Sequence, residues 1–249
     1  MRSRATVRPL DQSRKAAINL LAVVIVQFLI VVSAAAPSGR QRNLKAPSSH
    51  SLGGINAEVI GEAEQRLSEL GYWIGPRDGV FDAEDRQALI AFQKVESRKR
   101  TGRLTIDDVK ALRAAARPTP LETGYQHLEV DLSRQVLYTV GASGEVSGIL
   151  PVSTGSGKPF TIKGRREVAV TPTGKFRVYH KIAGWRKSPL GLLYYPNYIS
   201  GGIAIHGNPS VPVYAASHGC IRIPMYASAE FSKKTPIGTI VIVHDGGSY

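Results

Sequence analysis

Hydrophobic and polar positions change rhythm along this chain. No residue from Ala16 to Gly39 is charged, and Leu20 to Val32 form a nearly continuous apolar run. An uncharged stretch of this kind is long enough to span a bilayer as a helix, which needs about 20 residues. Further on, Ile60, Ala63, Leu67 and Leu70 recur at helical spacing and Gly71 follows as a stop. After the turn Gly75–Gly79, Asp82 is placed to cap a second helix carrying Leu89, Phe92 and Val95. Thr105 with Asp108 forms a capping box for a third helix, with Val109 and Leu112 facing inward. From Gln126 the pattern shortens to alternating or apolar strands at Leu128–Leu132, Gln135–Val140, Arg166–Val170, Lys175–Tyr179 and Thr239–Val243, with Gly and Pro turns between them. Gly202–Ile205 reads as a short buried strand that delivers His206 at its end, and a helix is predicted over 226–233. The fold class is α+β: a small three-helix module over 57–117, then a mostly β domain over 126–245.

Composition marks the joints. Residues 37–56 are rich in Ser, Pro, Gly and Asn without periodicity and read as a flexible tether. Pro118-Thr-Pro120 opens a second linker over 118–125. The helical segment is long enough for a small core of its own. It would otherwise serve as a spacer or an oligomerisation unit.

Charge adds the setting. The net charge is +13, with eight basic residues against one acid in the first fifty. The helical module is balanced at eleven against eleven, and the β domain carries thirteen against seven. A basic head, an apolar run and the small residues Ser33–Ala36 make residues 1–36 an export signal or an N-terminal membrane anchor. Either way the remainder is exported to the cell envelope, with the positive end left in the cytoplasm. There a basic balance suits anionic wall polymers and lipid head groups. Nucleic-acid binding is not expected, because the charge comes without a readout motif.

Candidate chemistry gathers in His206-Gly-Asn-Pro-Ser-Val-Pro-Val-Tyr-Ala-Ala-Ser217-His218-Gly219-Cys220-Ile-Arg222. Cys220 is the only cysteine, so it forms no internal disulfide, and an unpaired thiol outside the cytoplasm favours a chemical role. Cysteine attacks as the thiolate and wants a base or cation nearby to lower its pKa from about 8.5. His206 comes from a separate segment and can meet the sulfur head-on as base. His218 lies two residues from Cys220 and is placed to tune the thiolate or contact substrate. Gly219 lets backbone amides turn towards an oxyanion, and Arg222 shares the face of Cys220 as a clamp for a carboxylate. The plainer alternatives are a buried structural cysteine and a zinc site built from His206, His218 and Cys220, for which the stretch offers no obvious fourth ligand. Trp185, Tyr194, Tyr195 and Tyr198 precede this stretch and either line a groove or pack the sheet.

The run Ser217-His218-Gly219-Cys220-Ile221-Arg222, preceded by His206-Gly207, resembles the signature of the L,D-transpeptidase (YkuD-type) catalytic domain. Leu150–Gly155 and Thr171–Phe176 match further motifs of that family in the same order. Arg222 stands where many members have Asn, and the spacer from His206 to His218 is short. The resemblance implies a β-sandwich-like fold with the cysteine in a cleft. It implies Cys220 as nucleophile, His206 as base oriented by the Gly207 carbonyl, and a thioester acyl-enzyme formed with release of D-alanine. Ser217, Gly207, Arg222, Tyr195 and Tyr198 are the expected substrate-side residues, and no metal or organic cofactor is needed. Ala63 to Tyr72, with Gly75, Asp78–Asp82, Ala88, Leu89, Phe92 and Gln93, resembles the peptidoglycan-binding type 1 module, with Asp85 where Thr is usual. The implied partners are peptidoglycan stem peptides and glycan. Attachment of an envelope protein to the wall through a lysine, hydrolysis by water in the same site, as an L,D-carboxypeptidase or endopeptidase, and a non-catalytic wall-binding protein are the alternative readings.

Overall fold

The computed structural model describes residues 54–246. The apolar segment 1–36 and most of the tether lie outside the described residues. Among the described residues no helix is long and apolar enough to cross a membrane. Three helices come first: α1 (Ala57–Glu69), α2 (Ala83–Val95) and α3 (Ile106–Ala114). Their starts follow the local chemistry. Asp82 caps α2 in a full capping box with Asp85, and Thr105 caps α3 in another with Asp108. Each box satisfies helix N–H groups that have no partner inside the helix. Gly71, just past α1, takes a left-handed backbone (φ +92°) that ends the helix.

The β part contains β1 (His127–Asp131), β2 (Val136–Val140), β3 (Val146–Pro151), β4 (Pro159–Ile162), β5 (Arg165–Val168) and β6 (Gly174–Arg177). It continues through β7 (His180–Lys181), β8 (Trp185–Ser188), β9 (Gly191–Ser200), β10 (Ile203–Asn208) and β11 (Ile221–Pro224), then α4 (Met225–Lys234) and β12 (Ile240–His244). One sheet runs β3-β2-β1-β12-β6 and the other β11-β10-β9-β7, with β8 on β9. β4 and β5 form a separate hairpin. Most pairs are antiparallel, but β1–β12 and β10–β11 are parallel.

Alternation along the strands decides what packs where. Leu128, Val130, Leu137 and Leu150 face the second sheet and meet Ile199, Ile205, Ile221 and Ile223, with Phe231 of α4. The opposite faces of β2 and β3 carry Val136, Tyr138, Val140, Val146 and Ile149, and these share a core with Leu67, Leu89, Phe92 and Leu112 of the helices. The first sheet is therefore covered on both sides. The described residues fall in one compact unit, so the proline-marked linker joins two parts of a single body. Trp73 N–H donates to the Ile149 carbonyl at 3.0 Å and Ile149 N–H to that of Gly71 at 2.8 Å, adding a bridge at the edge of β3. The aromatic stretch around Tyr194 and Tyr198 is itself a strand, β9, of ten residues.

Candidate active site

The parallel pairing of β10 and β11 builds the site. His206 stands beside Arg222 in register, so both side chains leave the same face of the sheet. Cys220, two residues before Arg222, arrives on that side by alternation. His206 lies within β10 rather than at its end, and only 2 % of its surface is exposed. Its Nδ1 is 2.8 Å from the Gly207 carbonyl. A carbonyl can only accept, so Nδ1 carries the proton and the neutral ring presents Nε2 as an acceptor.

The turn before β11 is held from several directions. Ser217 Oγ donates to the Cys220 carbonyl at 2.6 Å and accepts from Gly219 N–H at 3.0 Å. Thr171 Oγ1 donates to the Gly219 carbonyl at 2.7 Å while accepting from Gly155 N–H at 2.8 Å. Gly219 has φ +139°, and a Cβ there would stand 2.9 Å from the Val170 carbonyl oxygen. Only glycine fits that turn without strain. Its amide, expected to help free donors for an oxyanion, is committed to Ser217. Among the described residues no hydrogen bond occupies the Cys220 amide. The thiol contacts the Gly202 carbonyl at 3.7 Å, and no bond to His206 is formed in this state. Catalytic hydrogen bonds are often long before substrate closes the site.

These residues open into a cleft of about 500 Å³. One wall is the β4–β5 hairpin, which presents Phe160, Ile162 and Glu167, and the other is β8 with the start of β9. Lys163 and Gly164 both take positive φ (48° and 74°), the geometry of a two-residue hairpin turn whose twist matches its strands. His218 is exposed, and its ring meets Phe160 edge-on at 4.8 Å. Val168, Val170, Leu190 and Leu192 are each about half exposed around the cleft, which gives it an apolar rim. Its charged lining residues are Arg186, Lys187, Arg222 and Glu167. None of the three cations is in an ion pair among the described residues.

The architecture has known relatives. Residues 125–243 match the family model of the YkuD L,D-transpeptidase catalytic domain, and residues 56–112 match that of the PG_binding_1 peptidoglycan binding domain. The crystal structure of the L,D-transpeptidase (residues 123–326) from Xylanimonas cellulosilytica is 38% identical, with a TM-score of 0.73, over 77% of this chain and 95% of that one. The chain belongs to the L,D-transpeptidase family. An L,D-transpeptidase from Stackebrandtia nassauensis is also similar, at 20% identity and a TM-score of 0.45 over 77% of this chain and 93% of that one. One from Mycobacterium smegmatis is 21% identical with a TM-score of 0.40 over 48% of this chain and 58% of that one. No curated protein matches the chain.

In this member of the family, electrostatics set the resting protonation of the two central groups. Burial drives the His206 pKa down to about 4, with the Gly207 carbonyl opposing it and Arg222 adding to it. Burial pushes the Cys220 thiol above its ordinary 9.0, against the pull of the Ala204 backbone and the Arg222 charge. The sequence led us to expect a lowered thiol pKa; the structure shows the opposite, because desolvation penalises the thiolate more than nearby donors support it. The resting pair is thus a neutral thiol and a neutral imidazole.

Of the residues singled out from sequence, Cys220, His206, His218, Gly219, Ser217, Arg222 and Tyr198 all line the cleft. Gly207 and Tyr195 do not. A Cβ on Gly207 would meet Ser228 and Tyr194, so that glycine serves packing and supplies the carbonyl to His206. Tyr195 has a positive φ (47°), and its ring meets Tyr194 rather than the cleft. Tyr198 stacks on His180 with ring centres 5.6 Å apart. Among the described residues no three His, Cys, Asp or Glu side chains converge as a metal site. Phe160, Glu167, Arg186 and Lys187 were not picked out beforehand. The Lys163-Gly164 pair between alternating segments was the available signal for the hairpin that carries two of them.

Proposed function

We propose that the protein is a cysteine-dependent L,D-transpeptidase that crosslinks peptidoglycan through a thioester on Cys220. The observation that carries this is the placement of Cys220 and His206 in one cleft, with the His206 Nδ1 proton tied to Gly207 and Nε2 left as the acceptor. The donor is a tetrapeptide stem, cleaved between its diamino acid and the terminal D-alanine. The thiol proton passes to Nε2 as sulfur attacks the carbonyl carbon, and the Cys220 amide faces the oxyanion. Collapse breaks the C–N bond, and the same proton leaves with the D-alanine amine. An amine from a second stem then attacks the thioester, gives up a proton to Nε2, and sulfur departs to recover it as the thiol. Transfer of proton and acyl group between neutral partners suits the resting states set by burial.

Arg186, Lys187 and Arg222 match the carboxylates of a stem peptide, with Arg222 beside the reacting pair. His218 and Phe160 form one wall against which the donor lies, and Tyr198 lines the floor. Peptidoglycan is the partner of both parts of the chain, with the helical module on the glycan side. We place the protein in the cell envelope, exported by residues 1–36, which either leave as a signal or stay as an anchor.

Intact-mass analysis after brief exposure to purified tetrapeptide stems tests the reading. A gain equal to the stem minus D-alanine, lost in Cys220→Ala, supports it. Adding acceptor stems, an envelope protein with free lysines, or water alone then separates crosslinking, protein attachment and carboxypeptidase activity. No adduct and no D-alanine release from a folded protein with a titratable thiol would sink it and favour a wall-binding role.

A further inference from the structure

Lys94 is the least expected buried residue of the molecule. It sits on α2 with no exposed surface, and its Nζ donates to the carbonyls of Gln135 at 3.0 Å and Val152 at 2.8 Å. Gln135 precedes β2 and Val152 follows β3, so the ammonium of the helical module ends on the two points where the first sheet turns over. A merely apolar contact would take a leucine or methionine there. A buried lysine costs desolvation, and here it supplies the donor for the Val152 carbonyl and a second one for that of Gln135, which also accepts from Val152 N–H at 2.9 Å.

From those carbonyls hydrogen bonds run on to the active-site turn. The Gln135 side chain donates to Thr154 Oγ1 at 2.7 Å and accepts from Thr154 N–H at 3.0 Å. The Thr154 carbonyl accepts from Ser217 N–H at 2.8 Å. Ser153 and Arg222 exchange backbone bonds in both directions, at 3.1 and 3.0 Å. Ser153 Oγ accepts from Ala216 N–H at 3.1 Å and donates to the Tyr214 carbonyl at 2.8 Å. A second cation arrives on the same loop, since Arg100, in the segment after α2, donates from Nη1 to the Val213 carbonyl at 2.9 Å. Segments 152–154 and 213–217 are thus clamped between the helical module on one side and the turn that carries Cys220 on the other.

We propose that the helical module is a buttress of the active site, with Lys94 and Arg100 as positioning residues that hold the Ser217–Arg222 turn in register with His206. The module then has a role in turnover besides any contact with the wall. Loss of Lys94 strips the Val152 carbonyl of its donor and loss of Arg100 that of Val213, and displacement of the sulfur by about 1 Å is enough to slow attack by up to about a hundredfold. The rate readout of this inference rests on the transpeptidase reading above, whereas its structural readout does not.

The test uses the whole chain carrying Lys94→Met, Arg100→Met or Arg100→Lys. Arg100 is only partly buried, so its variants keep the question answerable even if Lys94→Met fails to fold. Amide hydrogen exchange at Ser217 and Arg222 is followed beside the Tm and the rate of acyl-enzyme formation. We expect exchange at those two amides to quicken by about tenfold or more, while Val241 and Val243 on β12, two strands away from β2, hold their protection. Acylation should fall by about tenfold at unchanged donor KM, with Arg100→Lys recovering most of it. Unchanged exchange at Ser217 and Arg222 in every folded variant, whatever happens to Tm, overturns the proposal. A wild-type protein that forms no acyl-enzyme would remove the transpeptidase reading and leave the exchange arm to decide the buttress.

Discussion

The His206 imidazole donates from Nδ1 to the carbonyl of Gly207, its own neighbour in the chain, at 2.8 Å. A residue that orients a catalytic-type histidine usually comes from elsewhere in a fold, often a carboxylate. Here a backbone carbonyl does it without adding negative charge. The ring is fixed in one tautomer, yet no anion raises its basicity, and burial is free to lower the pKa.

That arrangement predicts a broad acid limb. With the His206 pKa at about 4, the base stays unprotonated from neutral pH down to that value, and acylation should fall only below it. The folded pKa is depressed from 6.5, so the unfolded chain binds more protons between about 4 and 6.5, and this group makes stability rise with pH in that window. His206→Gln should cut acylation by about 10²–10⁴-fold and remove its share of the slope. A pH–rate profile with pH-dependent thermal melts checks both.

Cys220 should be a slow thiol towards a small electrophile at neutral pH. Burial raises its pKa above 9.0, so alkylation by iodoacetamide should climb through and beyond pH 9 rather than level off near 7. Arg222 pulls that pKa down, and Arg222→Gln should shift the curve further towards alkaline pH. A plateau reached below pH 7 in the wild type would contradict the neutral resting pair.

Lys94 titrates in the opposite sense to a surface lysine. Burial lowers its pKa from 10.5 to about 7, so the unfolded state binds the extra proton between those values. Stability from this group should therefore rise with pH from about 7 to 10.5, and the cost of the buried charge is fully present below 7. The neutral amine still has two N–H donors for the two carbonyls it serves. Urea melts across that range should show the slope in the wild type and lose it in Lys94→Met.

Gly219→Ala is expected to be severe for its size. The added methyl meets the Val170 carbonyl oxygen at 2.9 Å, on a backbone with φ +139°. A residue forced into such a region costs about 1–3 kcal/mol, and the turn carrying Cys220 would shift to relieve it. Denaturant melts should register that loss, and acylation should drop with little change in donor KM.

Much of the local structure was legible in the chain. Asp82 and Thr105 cap helices where expected, because a cap is chemistry between residues three apart. The helix read over 226–233 forms as Met225–Lys234, and five strands were found from alternation alone, displaced by a residue or two. Of the β4–β5 hairpin only β5 was read, within Arg166–Val170; β4 is just four residues long, and β8 is polar and largely exposed, so neither carries a hydrophobic period long enough to read.

By itself, the sequence determined the α+β order, the helix starts and the motif that puts Cys220, Gly219 and Ser217 in one turn, since each depends on neighbours along the chain. Tertiary structure alone decided that His206 stands beside Arg222, that Phe160 meets His218, and that Lys94 disappears beneath the sheet. Those relations join residues far apart in the chain through a parallel strand pair, a hairpin and a shared core. They are fixed by which surfaces fit when the chain closes on itself, and so are the pKa shifts, because the burial that moves His206 and Cys220 does not exist until it has.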